Sequence, residues 1–422
     1  MSKYTLSRLS NGLTIATVAL PHMSSVSVGL WVGVGGRYEP APLSGVSHFI
    51  EHMLFKGTRK RTAAEISQSV EGLGGYLNAF TSEEMTCFYS KARHDRFGEL
   101  LEVLVDMFVN SKFERSELDK ERNVIKEELA MYLDQPQQHV HELLNETMWP
   151  GQPLGRSLTG TNETLDAMRR DDLVDYKNKN YVTDSTLLAA AGNIDHQTVV
   201  RAFSRYAKHF PRDTRPTFTP AIVDQSAPRV RLHTKQTEQT QIALGIRTCS
   251  RHDDRRFALR ILNTILGENM SSRLFQIIRE DHGLAYNICS HASCFDDVGS
   301  ITISAGMETD RLEKTLKLTT RELIKLSDKA VPAAELRRAR DYVIGTLDLS
   351  MENTENQMMW LGEQYLGYGK VEPPRELKSK LAKVTAAEVR STARDFFQPD
   401  RINLALVSPL KRADRLLRLL NP

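Results

Sequence analysis

Two segments of the chain, residues 172–191 and 388–407, follow one pattern of an amphipathic helix, a turn and a buried strand. The first ends in the apolar run Leu187-Leu188-Ala189-Ala190-Ala191, and the second ends in Leu404-Ala405-Leu406-Val407. Corresponding positions are 216 residues apart throughout the repeat. Because one helix and one strand cannot bury their apolar faces alone, this repeat predicts two similar α+β halves of roughly 210 residues.

A proline-rich stretch near the middle of the chain has the composition of a linker. Residues 210–228 contain four prolines, Pro211, Pro216, Pro220 and Pro228. Proline stiffens an extended chain and cannot donate a backbone hydrogen bond, so such a stretch is typical of a connection between domains. We therefore predict a first domain over residues 1–212, a linker over 213–228 and a similar second domain over 229–422.

Local patterns predict the elements of the first half. Asn11-Gly12 lies between apolar flanks and predicts a β-hairpin with a two-residue turn. The run 25–34 is rich in β-branched residues and predicts a central strand, and a further strand is predicted over 74–90. Apolar residues at helical spacing predict helices over 44–55, 63–73, 93–111 and 114–148.

Composition narrows the classes of partner. Lysine and arginine (56) nearly balance aspartate and glutamate (53), so charge gives no reason to expect nucleic acid. No apolar run reaches the roughly 18 residues that a membrane-spanning helix needs, so we expect no membrane segment. The four cysteines form no Cys-x-x-Cys pair and the N-terminus is unlike a signal peptide, so the cytoplasm is the expected location.

The motif His48-Phe49-Ile50-Glu51-His52 predicts a metal site on a helix. His48 and His52 are four residues apart, so their imidazoles lie on one face, one turn apart. Two imidazoles in this arrangement are typical ligands of a tetrahedral Zn²⁺. Glu51 shares that face, where its carboxylate could take a proton from water.

The acidic stretch 121–128 is the candidate source of a third ligand. Glu121 and Glu128 are seven residues apart and share a helix face, so one could bind metal while the other orients a ligand histidine. Glu127 points about a quarter-turn away from Glu128. Helix geometry alone leaves the choice among these three glutamates open.

These motifs stand in a setting that resembles the M16 (pitrilysin) family of zinc metallopeptidases. Within that family the chain is similar to the short-chain branch that includes mitochondrial processing peptidase β subunits. The resemblance covers essentially the whole chain, in segments 45–58 (GVSHFIEHMLFKGT), 74–89, 121–128, 153–156 (PLGR), 272–275 (SRLF) and 279–286. It implies an α+β fold of two similar α/β-sandwich halves, each a mixed, mainly antiparallel sheet packed by helices.

The resemblance also assigns roles at the metal site. It implies one Zn²⁺ per chain, held by His48, His52 and Glu128. Glu51 is the implied general base, and Glu121 is the implied acid that orients a ligand histidine. Glu127 falls where relatives vary and receives no role.

Further residues are implied to contact a peptide substrate. Asn78, Ala79 and Phe80 match the family's edge strand, to which substrate adds as an extra strand. Arg279 and Tyr286 match a pair that holds substrate and polarises the scissile carbonyl. Gly283 is expected to end the helix that carries Arg279, which places Tyr286 on a strand over 285–290.

Two departures from the family's processing peptidases concern specificity and partners. Those enzymes carry acidic residues ten and fourteen positions after the glutamate ligand, and these residues recognise an arginine of the substrate. Here the positions hold Gln138 and Glu142, so Glu142 alone is expected to contact substrate and strict arginine-directed cleavage is not expected. The glycine-rich loop of the non-catalytic partner chain is also absent.

The sequence therefore predicts a zinc endopeptidase that cleaves short or unfolded peptides inside a closed chamber, as a homodimer. The rival interpretation is a non-catalytic scaffold of the same fold, like the core subunits of respiratory complexes. Such subunits usually lose parts of the motif, whereas here the motif is intact.

Overall fold

The computed structural model describes residues 4–420, which form two compact units. The first unit contains the residues up to Leu129 together with Ser157–Thr219 and Asp348–Pro373. The second contains Ala130–Arg156, Pro220–Leu347 and the residues from Pro374 onward. The units therefore do not follow one another along the chain on either side of residues 213–228. A helical segment from each half of the chain belongs to the unit formed mainly by the other half.

Eleven strands and fifteen α-helices lie within residues 4–420. The strands are β1 Tyr4–Arg8, β2 Thr14–Ala19, β3 Ser25–Val32, β4 Tyr76–Thr81, β5 Thr86–Arg93, β6 Thr186–Gly192, β7 Arg229–Thr234, β8 Thr240–Thr248, β9 Asn287–Cys294, β10 Gly299–Met307 and β11 Ile402–Ser408. The helices are α1 Val46–Leu54, α2 Ala63–Glu71, α3 Phe97–Asn110, α4 Arg115–Asp134, α5 Pro136–Met148, α6 Asn162–Ala167, α7 Arg170–Asn180, α8 His196–Ser204, α9 Arg255–Asn263, α10 Leu312–Asp328, α11 Ala333–Ser350, α12 Thr354–Tyr368, α13 Pro374–Lys383, α14 Ala386–Phe396 and α15 Leu417–Leu420.

Strand order makes the internal repeat visible. The sheet of the first unit has the order β1-β2-β6-β3-β5-β4, and that of the second has the order β7-β11-β8-β10-β9. The pairs β2–β6 and β7–β11 are parallel, and all other neighbours are antiparallel. Apart from β1, the two orders match strand for strand. Both α7 and α14, and β6 and β11, start and end 216 residues apart, so the predicted α+β class with two similar halves is confirmed.

Each sheet is covered by helices on both faces. In the first unit, α1 and α3 bury one face, and α12 buries the other against Trp31. A Cβ at Gly362 of α12 would overlap the Trp31 ring, so glycine is required for this close approach. In the second unit, α9, α10 and α14 bury one face and α5 the other, where Leu144 and Met148 pack on Ala243. Each sheet has two apolar faces that must be buried. The second face of each sheet is covered by a helix from the other half of the chain, α12 in the first unit and α5 in the second.

Three local predictions differ from the structure in detail. The predicted helix 114–148 is two helices, because Pro136 disfavours the helical conformation at Gln135, which has φ −91° and ψ 106°. The predicted strand 74–90 is the hairpin β4–β5, which turns at Ser82–Met85. The hairpin at Asn11-Gly12 is confirmed, with Gly12 at φ +102° in a loop that is longer than two residues.

None of the helices within residues 4–420 combines the length and apolar character that crossing a membrane requires.

Candidate metal centre

Helix α1 carries the two histidines and is anchored at both its core face and its N-terminus. Its five apolar side chains are buried in the core of the first unit: Val46, Phe49, Ile50, Met53 and Leu54. Its N-cap, Gly45, has φ +94° and no side chain to cap the helix. Glu39 does so instead, accepting hydrogen bonds from the N–H groups of Gly45 at 2.7 Å and Ser47 at 2.8 Å. A buried carboxylate at this end also complements the helix dipole.

His48 and His52 meet Glu128 of α4. The two imidazole centroids are 4.6 Å apart. Glu128 Oε2 lies 3.7 Å from His48 Nε2 and 3.6 Å from His52 Nε2. Ligand atoms of the three residues all lie within 4.8 Å of one another, and the side chains are partly buried. Two imidazole nitrogens and a carboxylate oxygen therefore converge on one small volume.

Burial and charge act differently on the two histidines. Burial, reinforced by the neighbouring His52, lowers the pKa of His48 to about 4, although Glu128 opposes the shift. Burial also acts to lower the pKa of His52, but contacts with Glu128 and Glu121 outweigh it and the pKa is raised. A neutral imidazole is the form that binds a metal, so His48 is in its ligand form over the physiological pH range.

Glu121 and Glu127, the other two candidates for a third ligand, take different positions. Glu121 is buried and accepts a hydrogen bond from His52 Nδ1 at 3.1 Å, on the side of the ring away from Glu128. Its second oxygen, Oε1, lies 2.7 Å from Lys56 Nζ. Glu127 is exposed on α4. The structure thus places Glu128 against both histidines and Glu121 behind one of them.

Glu51 lies on α1 between the two histidines in sequence and is held by the end of strand β4. Thr81 Oγ1 donates a hydrogen bond of 2.6 Å to Glu51 Oε2. Burial raises the pKa of Glu51, and the hydrogen bond from Thr81 partly opposes this effect. A carboxylate with a raised pKa is a better proton acceptor at neutral pH than an ordinary glutamate.

Strand β4, which carries Asn78, Ala79 and Phe80, is the edge strand of its sheet. It pairs with β5 on one side, and it is the last strand in the sheet order. Phe80 turns toward the core, where its ring contacts Trp31 at a centroid distance of 5.5 Å. Asn78 is exposed. An edge strand offers backbone N–H and C=O groups to an added strand.

Arg279 and Tyr286 lie together in the second unit. The Arg279 guanidinium sits over the Tyr286 ring, 4.7 Å from its centroid. Gly283, at φ +56°, ends the helical turns that carry Arg279, as predicted. Strand β9 begins only at Asn287, so Tyr286 precedes the strand instead of lying on it, and the residue is 78% exposed.

The two positions that depart from the processing peptidases also lie in the second unit. Gln138 and Glu142 of α5 line a cavity of about 600 Å³ together with Tyr286. Most of the remaining lining is polar and uncharged, including Gln239 and Gln241. The structure therefore brings Glu142 and Tyr286 to one cavity.

Three residues that the sequence did not single out contribute to the centre. Thr81 contacts Glu51, Lys56 contacts Glu121, and Glu39 caps α1. Thr81 directly follows the predicted edge-strand residues, and Lys56 lies two residues after the end of α1, so closeness in sequence to these elements could have indicated both. Glu39 lies six residues before the N-cap and matches no local capping pattern.

Comparisons with known proteins agree with this geometry. A sequence model described as insulinase (peptidase family M16) matches residues 14–162, and one described as the peptidase M16 inactive domain matches residues 167–343. A protein of Streptomyces coelicolor named as an uncharacterized zinc protease is 37% identical, over 97% of this chain and 90% of its own length. The uncharacterized zinc protease YmxG of Bacillus subtilis is 36% identical, over 94% of this chain and 97% of its own.

Solved structures share the fold. A protease from Helicobacter pylori superposes with a TM-score of 0.91 at 21% identity, covering 97% of this chain and 100% of that one. A chain of complex III2 from Candida albicans superposes with a TM-score of 0.84 at 19% identity, covering 99% of each chain. At 21% and 19% identity the two structures show only that the fold is shared. The family models and the relatives of more than 30% identity show the family. The chain belongs to peptidase family M16.

Proposed function

We propose that the chain is a zinc-dependent endopeptidase that cleaves short or unfolded peptides. The observation that carries the proposal is the convergence of His48, His52 and Glu128, with Glu51 on the same helix as the histidines. Two relatives that span most of the chain are named zinc proteases, which supports the same activity.

The donor set fits zinc. Two imidazoles and one carboxylate leave a fourth position open, as in zinc sites that act on substrates rather than only stabilise a fold. His52 donates its Nδ1–H to Glu121, which leaves Nε2 as the nitrogen for the metal. Zn²⁺ held by these residues would act as a Lewis acid and would lower the pKa of a water molecule to about 7.

Glu51 is the proposed general base. It accepts a proton from the attacking water and later delivers that proton to the leaving amine. Its raised pKa, caused mainly by burial, suits both steps because the carboxylate must bind the proton and release it again. Thr81 fixes one carboxylate oxygen, which leaves the other oxygen for water.

Substrate is proposed to add to β4 as an extra strand along Asn78, Ala79 and Phe80. The free edge of β4 supports this, since main-chain hydrogen bonds bind an extended peptide with little dependence on its sequence. Most strands of a folded domain are already paired with neighbours in a sheet, whereas an extended peptide has its backbone groups available. The preference for short or unfolded peptides therefore follows from the same edge.

The second unit is proposed to hold the substrate carbonyl through Arg279 and Tyr286 and to contact a side chain through Glu142. The contact between Arg279 and the Tyr286 ring supports a joint role, and the exposure of Tyr286 leaves its hydroxyl accessible.

We also propose a homodimer, a closed chamber and a cytoplasmic location. Sedimentation of the purified chain tests the first of these.

The rival role as a non-catalytic scaffold has one observation in its favour, the shared fold with a chain of complex III2. A shared fold does not explain why His48, His52 and Glu128 converge, with the buried Glu121 in contact with His52. Mass-spectrometric mapping of cuts in a peptide library, with Glu51→Gln as control, distinguishes the two roles. A wild-type protein that makes no more cuts than the variant would favour the scaffold.

Replacing Tyr286 by phenylalanine should lower kcat more than it changes KM. A phenol donor aimed at the developing oxyanion matters mainly in the transition state, and removing such a donor typically costs about 10²–10³ in rate. We expect the lower end of that range, because Tyr286 is largely exposed. Arg279→Ala should instead raise KM, because a guanidinium that holds carbonyls contributes to ground-state binding. Steady-state kinetics on one fluorogenic peptide measure both, and an unchanged kcat for Tyr286→Phe would remove the tyrosine from the mechanism.

Replacing Thr81 by valine should shift the acidic limb of the kcat/KM profile to higher pH. The Thr81 hydroxyl stabilises the ionised form of Glu51 and so lowers its pKa; without that donor the pKa rises further. A base with a higher pKa stays protonated, and thus inactive, up to a higher pH. Thr81→Ser keeps the hydroxyl and serves as the matched control. Identical acidic limbs for Thr81→Val and the wild type would show that Glu51 does not set this limb.

A further inference from the structure

A lysine outside the histidine motif is connected to the metal centre through a buried carboxylate. Lys56 Nζ lies 2.7 Å from Glu121 Oε1, while Glu121 Oε2 lies 3.1 Å from His52 Nδ1. The Glu121 side chain is only 6% exposed and that of Lys56 is 30% exposed. One buried carboxylate is therefore shared between a cation and the imidazole of a candidate ligand.

The backbone fixes Lys56 at the end of the histidine helix. Its N–H donates to the carbonyl of Met53 at 3.2 Å, so it continues the last turn of α1. Gly57 follows at φ +107°, a conformation that glycine adopts without strain and that redirects the chain. A cation at this position also complements the C-terminal end of the helix dipole. Lys56 and His52 thus belong to one rigid segment, one turn apart.

Glu121 needs a partner for the oxygen that His52 does not use. A buried carboxylate with one unpaired oxygen loses its hydration without compensation and tends to rotate or to take up a proton. Lys56 supplies that partner, so both oxygens are satisfied and the plane of the carboxylate is fixed. The Glu121 carboxylate can then hold the His52 ring with Nδ1 toward itself and Nε2 toward Glu128.

We propose that Lys56 is a positioning residue of the zinc centre, which acts on His52 through Glu121. The inference rests on the proposed function, because it assumes that His52 binds zinc. Partners of ligand histidines outside the coordination sphere typically contribute about 10–100-fold to metal affinity. Lys56 is one contact further away, so we expect its loss to weaken zinc binding by about tenfold, the lower end of that range.

The test measures the zinc dissociation constant by competition with a chelating indicator. The variants are Lys56→Met, which removes the charge but keeps the aliphatic chain, Lys56→Arg, Glu121→Gln and the double variant Lys56→Met/Glu121→Gln. Lys60→Met is the matched control, because Lys60 forms an exposed pair with Glu102 in the same stretch of chain. Circular dichroism confirms that each variant is folded.

We expect Lys56→Met to bind zinc about tenfold more weakly, with Lys56→Arg and Lys60→Met near the wild type. In the Glu121→Gln background, Lys56→Met should add less than about a twofold further loss, because the residue through which it acts is already changed. Equal affinity of Lys56→Met and Lys60→Met would overturn the inference, and so would a full additional loss in the double variant. A wild-type chain that binds no zinc would contradict the proposed function instead.

Discussion

Glu51→Gln should retain zinc and lose peptide hydrolysis. The amide has nearly the same shape and can still accept a hydrogen bond from Thr81, but it cannot take a proton from water. General acid–base catalysis contributes about 10²–10⁴ in rate, and Glu51 is proposed to act as base and then as acid, so we expect kcat to fall toward the upper end. Cleavage of a fluorogenic peptide and the zinc content of the same sample measure both effects.

Retention of zinc is the control that gives this result its meaning. Glu51 lies beside the histidines without joining the group of His48, His52 and Glu128, so its loss should leave the ligands in place. Turnover near the wild-type rate with zinc bound would end the assignment of Glu51 as general base.

Glu128→Gln should strongly lower zinc affinity, whereas Glu127→Gln should leave it nearly unchanged. Glu128 Oε2 faces Nε2 of both histidines, while Glu127 is exposed one position earlier on the same helix. A neutral amide oxygen is a far weaker zinc ligand than a carboxylate. The loss should therefore exceed the roughly 10–100-fold that removal of an outer partner costs.

The two neighbouring glutamates form a matched pair, since both changes remove one negative charge from the same turn of α4. Competition with a chelating indicator gives the zinc dissociation constant of each variant. Equal losses from Glu127→Gln and Glu128→Gln would mean that charge near the site, and not coordination by Glu128, supports zinc binding.

The metal centre was predictable from sequence where it depends on helix periodicity. His48 and His52 are four residues apart, and a helix must place them on one face. The same periodicity placed Glu121 and Glu128 together but could not tell which of them would meet the metal. That choice depends on how α4 passes α1, which sets Glu128 against Nε2 and Glu121 against Nδ1 of His52. The family resemblance supplied the answer that local geometry left open.

The fold was predictable in class and repeat but not in the exchange of helices. The 216-residue offset recurs in the bounds of α7 and α14. An amphipathic pattern shows that α5 and α12 each bury a face, but it does not identify the sheet that they cover. The break between α4 and α5 had a local signal, Pro136, which was outweighed by continuous apolar spacing on both sides.

Contacts between distant residues account for what the sequence did not show. Thr81 reaches Glu51 across 30 residues, and Lys56 at the end of α1 reaches Glu121 on α4. Neither contact follows from a local period, because both are set by the packing of α1 between the sheet and α4. Thr81 and Lys56, which hold other residues in place, are therefore found from the structure, although the sequence already indicates Glu51 and Glu121.

Zinc dependence of peptide cleavage tests the central claim most directly. Purified wild-type protein is stripped with a chelator, and zinc is added back stepwise while cleavage of one quenched fluorescent peptide is followed. We predict that activity is absent from the stripped protein and rises in proportion to zinc until one ion per chain is bound. Cleavage that survives complete removal of zinc, or a chain that holds one zinc and cleaves nothing in a peptide library, would contradict the claim.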